Sequence, residues 1–260
     1  MKFIKLALIT GISLSIASCH VSDPDIENIT DTDQNALLEY ITFQNVPIAQ
    51  YSYDSQNRIT EIISIPIKVN IGYNPMSITS CEFDEDNPSE IIEKTIWKDI
   101  EVNSQGYITK AIIDLYEYGT LTDNYIVLFQ YDAKGHLTEI QRIDEYPSTT
   151  VLTWDEEGRL LRSSETGSDG NIHLEYEYYS TPNTYGQWIP GIQIIDTIIE
   201  TTGLFGVAPS YLIKSYSFNE NNYYFSQYFY NYRLNDKGRI VQSQVLSDGY
   251  TILLNWHYFK

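Results

Sequence analysis

From about residue 36 onward, apolar and polar residues alternate in short runs, and each run ends at a cluster of Asp, Asn and Gly. Ile59-Thr-Glu-Ile62 and Leu137-Thr-Glu-Ile140 show the period most plainly. A period of two places successive side chains on opposite faces of a strand. Between the runs one formula recurs: aromatic-Asp-x-x-Gly/Asn-Arg-Ile/Leu-Thr. It is read at Tyr51–Ile62, Tyr131–Ile140, Trp154–Arg162 and Leu234–Gln242, at Val102–Lys110 with Asn103 in the Asp position, and in shortened form at Phe83–Ile91. The turn residues of these copies fall at 54, 84, 103, 132, 155 and 236. An Asp or Asn there can bond the backbone two residues on and open a turn. The Gly or Asn that follows suits the left-handed backbone position that closes it. The Ile or Leu then returns the chain to the buried face. Each copy therefore predicts a hairpin tip.

The chain as a whole is predicted to be all-β, an antiparallel meander of repeated β-hairpins forming a single domain over residues 36–260. Return turns are expected near 70–75, 118–123, 145–148 and 168–170. The stretch 180–210 is richer in Pro and Gly and reads as an irregular excursion holding at most one short helix, near Ile192–Thr201. Alternation alone is compatible with an open curved sheet, a closed one or two layers.

Composition reinforces the strand reading. Tyrosine is the outlier at 23 residues, aromatics reach 14%, and helix-favouring Ala and Leu are sparse beside Ile, Tyr and Thr. The net charge is −19. An excess of acid on this scale, with no basic patch to reverse it, excludes nucleic acid as a partner and opposes anionic lipid surfaces.

The amino terminus changes the picture of where the domain works. Lys2 and Lys5 precede an apolar run from Phe3 to Ile16, too short to span a bilayer. Ile16-Ala-Ser-Cys19 follows it. This order is that of a lipoprotein export signal, with residues 1–18 removed and Cys19 lipidated. Loss of Lys2 and Lys5 would take the net charge from −19 to −21. Several acyl chains, at about 0.8 kcal/mol per buried methylene, anchor a protein stably. Residues 19–35, acidic and without a period, read as a flexible tether. The expected location is the outer membrane, with exposure at the cell surface in view of the acidic Ser22–Asp25 segment. The membrane would then be a partner only through that lipid. With Cys19 lipidated, Cys81 has no intrachain disulfide partner, and it reads as a buried, inert thiol.

No catalytic motif is found. Gly-x-Ser-x-Gly does not occur, the four histidines share no metal-ligand spacing, and Asp84–Asn87 lacks the Gly and distal Glu of an EF-hand loop. No cofactor is implied. A carboxylate-based glycoside hydrolase ranks third among the functions considered, because it needs only two placed acids. The aromatics offer the remaining opening, since flat apolar rings match the C–H faces of sugars. Trp188, in the irregular excursion, and Tyr224, Tyr228 and Tyr230, in the run Tyr223–Tyr232, are the candidate ligand-binding residues. The other aromatics read as cross-strand packing, at about 0.2–1 kcal/mol per pair.

The aromatic-Asp-x-x-Gly-Arg-Leu-Thr formula resembles the YD repeat of RHS-type proteins. The whole chain, through Cys19, the hairpins, Tyr176–Asn183 and Tyr211–Lys214, is similar to a family of Bacteroidetes lipoproteins built from YD-like hairpins. That resemblance implies a YD-repeat-like curved sheet and an envelope location, with no chemistry attached. The expectation is a lipid-anchored, non-enzymatic envelope protein that binds a glycan, peptide or protein partner. The alternative is a structural component whose sheet packs against another protein.

Overall fold

The computed structural model describes residues 25–26, 37–64, 66–84, 86–167, 170–183, 203–220, 223–247 and 250–258. Seventeen strands are formed: β1 (Asp25–Ile26), β2 (Leu38–Phe43), β3 (Val46–Tyr53), β4 (Ile59–Ser64), β5 (Ile67–Tyr73), β6 (Met76–Phe83), β7 (Ile91–Val102), β8 (Ile108–Glu117) and β9 (Thr120–Tyr131). They continue as β10 (Leu137–Ile143), β11 (Ser148–Trp154), β12 (Leu160–Gly167), β13 (Gly170–Pro182), β14 (Tyr211–Glu220), β15 (Tyr223–Leu234), β16 (Ile240–Ser247) and β17 (Tyr250–Tyr258). No helix occurs among the described residues, and the stretch expected to hold one lies outside them.

Each strand from β2 to β17 pairs antiparallel with its neighbours in sequence, and β17 pairs with β2 through Trp256↔Ile41 and His257↔Tyr40. The meander is thus a closed sixteen-strand barrel, which corrects the expectation of a curved open sheet. Closure removes the free edges that an open sheet would present to other chains. Within the stretch expected to be a tether, β1 lies parallel to β15 beside Arg233 and Leu234. It occupies a gap, because β14 and β15 pair only between 215–220 and 223–228.

Alternation assigns the two faces. On β13, Ile172, Leu174 and Tyr176 are buried while Asn171, His173, Glu175 and Glu177 are exposed. Buried residues from β2 round to β14 form one apolar cluster, and only the interior of a closed barrel can bring them together. The buried apolar cluster fills the interior, where register also places Asp123 and Arg142 toward the far end, while the outer wall mixes charged residues with apolar ones such as Val151 and Leu253.

The repeated formula accounts for one end of the barrel. Asp54, Asn103, Asp132, Asp155 and Asn235 each open a turn in which their backbone N–H donates to the carbonyl four residues on. Their side-chain Oδ1 accepts from the backbone N–H groups two and four residues ahead at 2.8–3.0 Å. The fourth residue of each turn, Asn57 or a glycine, holds φ between 62° and 87°. Strand order puts all five turns at the same end, called here the turn end. Two details differ from the sequence reading. The last copy is capped by Asn235 and not Asp236. The shortened copy at Asp84 joins β6 to β7 and so stands at the opposite, far end.

Five aromatics, three of them in copies of the formula, have a separate duty. Tyr53, Tyr73, Tyr131 and Tyr178 donate their hydroxyls, and Trp154 its indole N–H, to the first carbonyl of a strand in the preceding hairpin: Leu38, Ile59, Ile108, Leu160 and Leu137. The distances are 2.6–3.0 Å. Each brace buries a ring while satisfying a backbone acceptor, and so couples one hairpin to the next. Burial pushes the Tyr53 hydroxyl up to about 12 and raises those of Tyr131 and Tyr178 further.

The end of the excursion folds back into the turn end. Leu204 and Phe205 are buried, and Phe205 meets Trp97 edge-on at 5.8 Å and Phe129 at 5.3 Å. Ile108 N–H donates to Leu204 O at 2.8 Å, Val207 N–H to Gly135 O at 2.9 Å and Ser210 N–H to Gly158 O at 2.9 Å. Residues 203–210 are thus stitched to three successive turns. A Cβ on Gly206 would collide with Gly135 O, which explains a glycine there.

Candidate functional site

A groove of about 510 Å³ lies on the outer wall of β11–β15. Register builds it. Thr153 faces Arg162, Arg162 faces Glu175, Glu175 faces Ser217, and Ser217 faces Ser226, so one transverse row crosses five strands. A second row, Glu177–Ser215–Tyr228, lies beside it. At about 4.8 Å between strands, the first row extends roughly 19 Å. Tyr176 and Tyr216, pointing inward from the same strands, fill the wall behind it with rings 6.1 Å apart. Lys214 reaches Glu177 at 3.3 Å beside the second row.

The groove offers one ring, one guanidinium, two carboxylates and a line of hydroxyls, all donors or acceptors without a common charge. Such a lining can hydrogen-bond a polyhydroxylated or peptide-like chain while the exposed face of Tyr228 supplies apolar contact. Among the described residues no cluster of His, Cys, Asp and Glu could hold a metal ion.

The structure disperses the aromatics singled out from sequence. Tyr228, with 44% of its surface exposed, lines the groove. Tyr230 stands further along the same outward face, but its hydroxyl is engaged with Thr251 Oγ1 at 3.0 Å. Tyr224 stands in register with Asn219 on β14. Trp188 and Cys19 lie outside the described residues. Trp97 is buried in the interior, Trp154 stacks on His136 at 4.4 Å, and Trp256 bonds Ser243. Cys81 is half-buried rather than enclosed. Asp84 accepts from the N–H groups of Asp86 and Asn87, so the acidic segment is a turn. Sequence reasoning missed Arg162, Glu175, Glu177 and the serines. Their outward positions are visible in the alternation of β12–β15, but their alignment into a row depends on register.

Three turn-end carboxylates, Asp54, Asp132 and Asp155, are held below the usual range, as is Asp114 in the wall. Burial works against ionisation of Asp132 and Asp155, yet the bonds from His136 and Arg159 outweigh it and hold both below the usual carboxylate range. Asp54 is lowered chiefly by the backbone N–H of Arg58. These three turn-end groups shape turns.

The fold is that of a closed antiparallel sixteen-strand barrel with hairpin connections. It is similar to the crystal structure of a porin-like protein from Bacteroides uniformis ATCC 8492, at 16% identity and a TM-score of 0.58 over 85% of this chain and 98% of that one. A porin-like protein from Bacteroides vulgatus ATCC 8482 gives 12% identity and the same TM-score over 86% and 99%. At these identities the likeness shows the fold alone. No family model and no curated protein matches the chain. The resemblance to YD-repeat proteins and to lipoproteins built from open YD-like sheets is thereby corrected: the solved neighbours are closed barrels. The hairpin formula describes how turns are made, and many architectures need such turns.

Proposed function

We propose that this chain is an envelope protein that binds an oligosaccharide along the outer groove of β11–β15. The observation that carries the reading is the transverse row Thr153–Arg162–Glu175–Ser217–Ser226 with Tyr228 beside it. The net charge of −19 favours a neutral glycan over an anionic one. In the same proposal, residues 1–18 direct export, and lipid on Cys19 holds the domain at an outer membrane, in water and close to the bilayer.

The likeness to porin-like barrels raises a membrane channel as the rival. A membrane-spanning barrel needs an apolar outer band about 25 Å tall. Here Lys98, Lys110, Asp114, Arg162, Glu175 and Glu177 occupy outward positions on β7, β8, β12 and β13, interspersed with apolar ones such as Val151 and Leu253. An outward Lys or Arg at the bilayer midplane costs about 2–4 kcal/mol. The charged positions on this wall therefore support a barrel bathed in water.

Titration calorimetry of residues 20–260 against neutral oligosaccharides tests the reading. Binding is expected, weakened about tenfold by Tyr228→Ala or Arg162→Ala. Absence of binding across a broad glycan array would overturn it, as would stepwise conductance in planar bilayers.

A further inference from the structure

A second face of the molecule carries a different partner. At the far end, the outer rim from β7 to β11 exposes Ile91, Tyr118, Leu121, Ile143 and Tyr146. They come from consecutive hairpins along one rim, Ile91, Tyr118 and Leu121 on its β7–β9 side and Ile143 and Tyr146 on its β10–β11 side. Leu121 faces Tyr116 across β8–β9, and Tyr118 N–H bonds Ile92 O next to Ile91. Isolated exposed apolar residues are ordinary, but neighbouring ones on a rim with polar walls mark contact sites.

Tyr118 is the telling residue. It is 68% exposed, more than any other large apolar side chain described, and it holds φ at 48° in the two-residue turn before Gly119. Asn or Gly is the usual occupant of that position, and the Gln44–Asn45 turn at the same end uses residues of the usual polar kind. A bulky ring kept in a left-handed conformation and pushed into solvent is paid for by the fold and returns nothing to it.

Charge states what can cover this rim. The flanking loops contribute Asp84, Asp86 and Glu90 on one side and Glu145 on the other. The guanidinium nearby, Arg142, is committed to Asp123 and Asp144 at 2.5 Å. We infer that the far-end rim of β7–β11 docks a basic, amphipathic polypeptide segment, apolar side chains on the rim and cationic ones toward the loops. The site is independent of the β11–β15 groove, and loss of glycan binding would leave it standing.

The test uses the domain of residues 20–260 and a labelled peptide alternating Lys and Leu, read by fluorescence anisotropy. Wild type binds it, more weakly as salt rises. Tyr118→Gly with Leu121→Ser binds about tenfold more weakly, and Tyr118→Gly alone melts no lower than wild type, because the turn is relieved. Tyr146→Ser, on an exposed loop, is expected to weaken binding as well and serves if the double variant fails to fold. Equal affinity of wild type and variants overturns the inference. So does equal binding of a Lys-Ser peptide, which would leave charge alone. Dimerisation abolished by the variants in sedimentation, or variant-sensitive binding to phosphatidylcholine vesicles, overturns it too, by naming a second copy or lipid as the occupant.

Discussion

Replacing Phe205 by Ala tests whether the segment 203–210 is part of the barrel core. Phe205 has no exposed surface and contacts Trp97 and Phe129, each from a different part of the wall. Deleting a buried phenylalanine costs about 3–5 kcal/mol, counting lost transfer energy and the cavity left behind. The two ring pairs contribute about 0.5–1.5 kcal/mol each within that figure. In a domain of this size 1 kcal/mol moves the midpoint by about 2–4 °C, so Phe205→Ala should melt roughly 6–20 °C lower. Far-UV dichroism should keep its strand signature at low temperature, since the strands are closed without this residue. Urea unfolding gives the free energy, and limited proteolysis shows whether the segment has come loose from the three turns. A loss under about 1 kcal/mol would refute the packing of Phe205 in the interior, because no fully buried phenylalanine is expected to be that cheap.

Three further outcomes follow from the turn end. Tyr131→Phe removes the brace to Ile108 O and should cost about 1–2 kcal/mol in urea unfolding with little change of structure; a neutral result would deny the brace its role. Gly158→Ala must adopt φ near 80° and would place its Cβ 2.5 Å from Ser210 Oγ, so a loss of about 1–2 kcal/mol is expected. Adding Ser210→Ala should recover part of that loss, and strict additivity would count against the contact. Finally, Asp54, Asp132 and Asp155 are held below their ordinary values, so the stability they contribute is present above the unfolded carboxylate value near 3.9 and is lost as pH falls below it. Asn can cap the same turn, as Asn103 and Asn235 do, without titrating. The triple Asp→Asn variant should therefore show a flatter decline between about pH 4 and pH 2; an unchanged acid limb would show that other groups drive it.

The strands and the turn chemistry were legible because they are local. Period-two alternation and the Asp-x-x-Gly formula act within a few residues, and the structure places β3–β4, β7–β8, β9–β10, β11–β12 and β15–β16 hairpins on them. The copy at Asp84 shows the limit of a formula. Its turn runs through Asn87 and Glu90, with Glu90 N–H donating to Asn87 O, and it lacks the backbone pattern of the other five. Closure was not legible. It depends on Trp256 finding Ile41 across the length of the chain, and no pattern in either strand specifies the other. The groove was half legible: Tyr228 stood out as an aromatic, while Arg162 and Glu175 became a site only when register set them side by side. The excursion did carry one usable sign. Leu204 and Phe205 are apolar neighbours between two glycines, and such a pair in a Gly-rich loop has nowhere to go but a core.

The closed barrel also accounts for part of the tyrosine content. A barrel of sixteen strands is wide, and an apolar interior must be filled by large side chains and by chain folded inward, as Phe205 and its neighbours are. Phenylalanine could fill the same volume, but at the ends of the strands the first carbonyl after each turn points away from the ladder and needs a donor. Tyrosine meets both demands with one side chain, its ring in the core and its hydroxyl on Leu38, Ile59, Ile108 or Leu160. Tryptophan does the same on Leu137. At Tyr53, Tyr131 and Trp154 the formula therefore begins with an aromatic that carries a polar handle for a structural reason, and Tyr73 and Tyr178 do the same outside it. What is left over on the outside is small and specific: Tyr228 in a polar groove, and Tyr118 and Tyr146 on an apolar rim. An aromatic that faces water is the residue to mutate first in this fold.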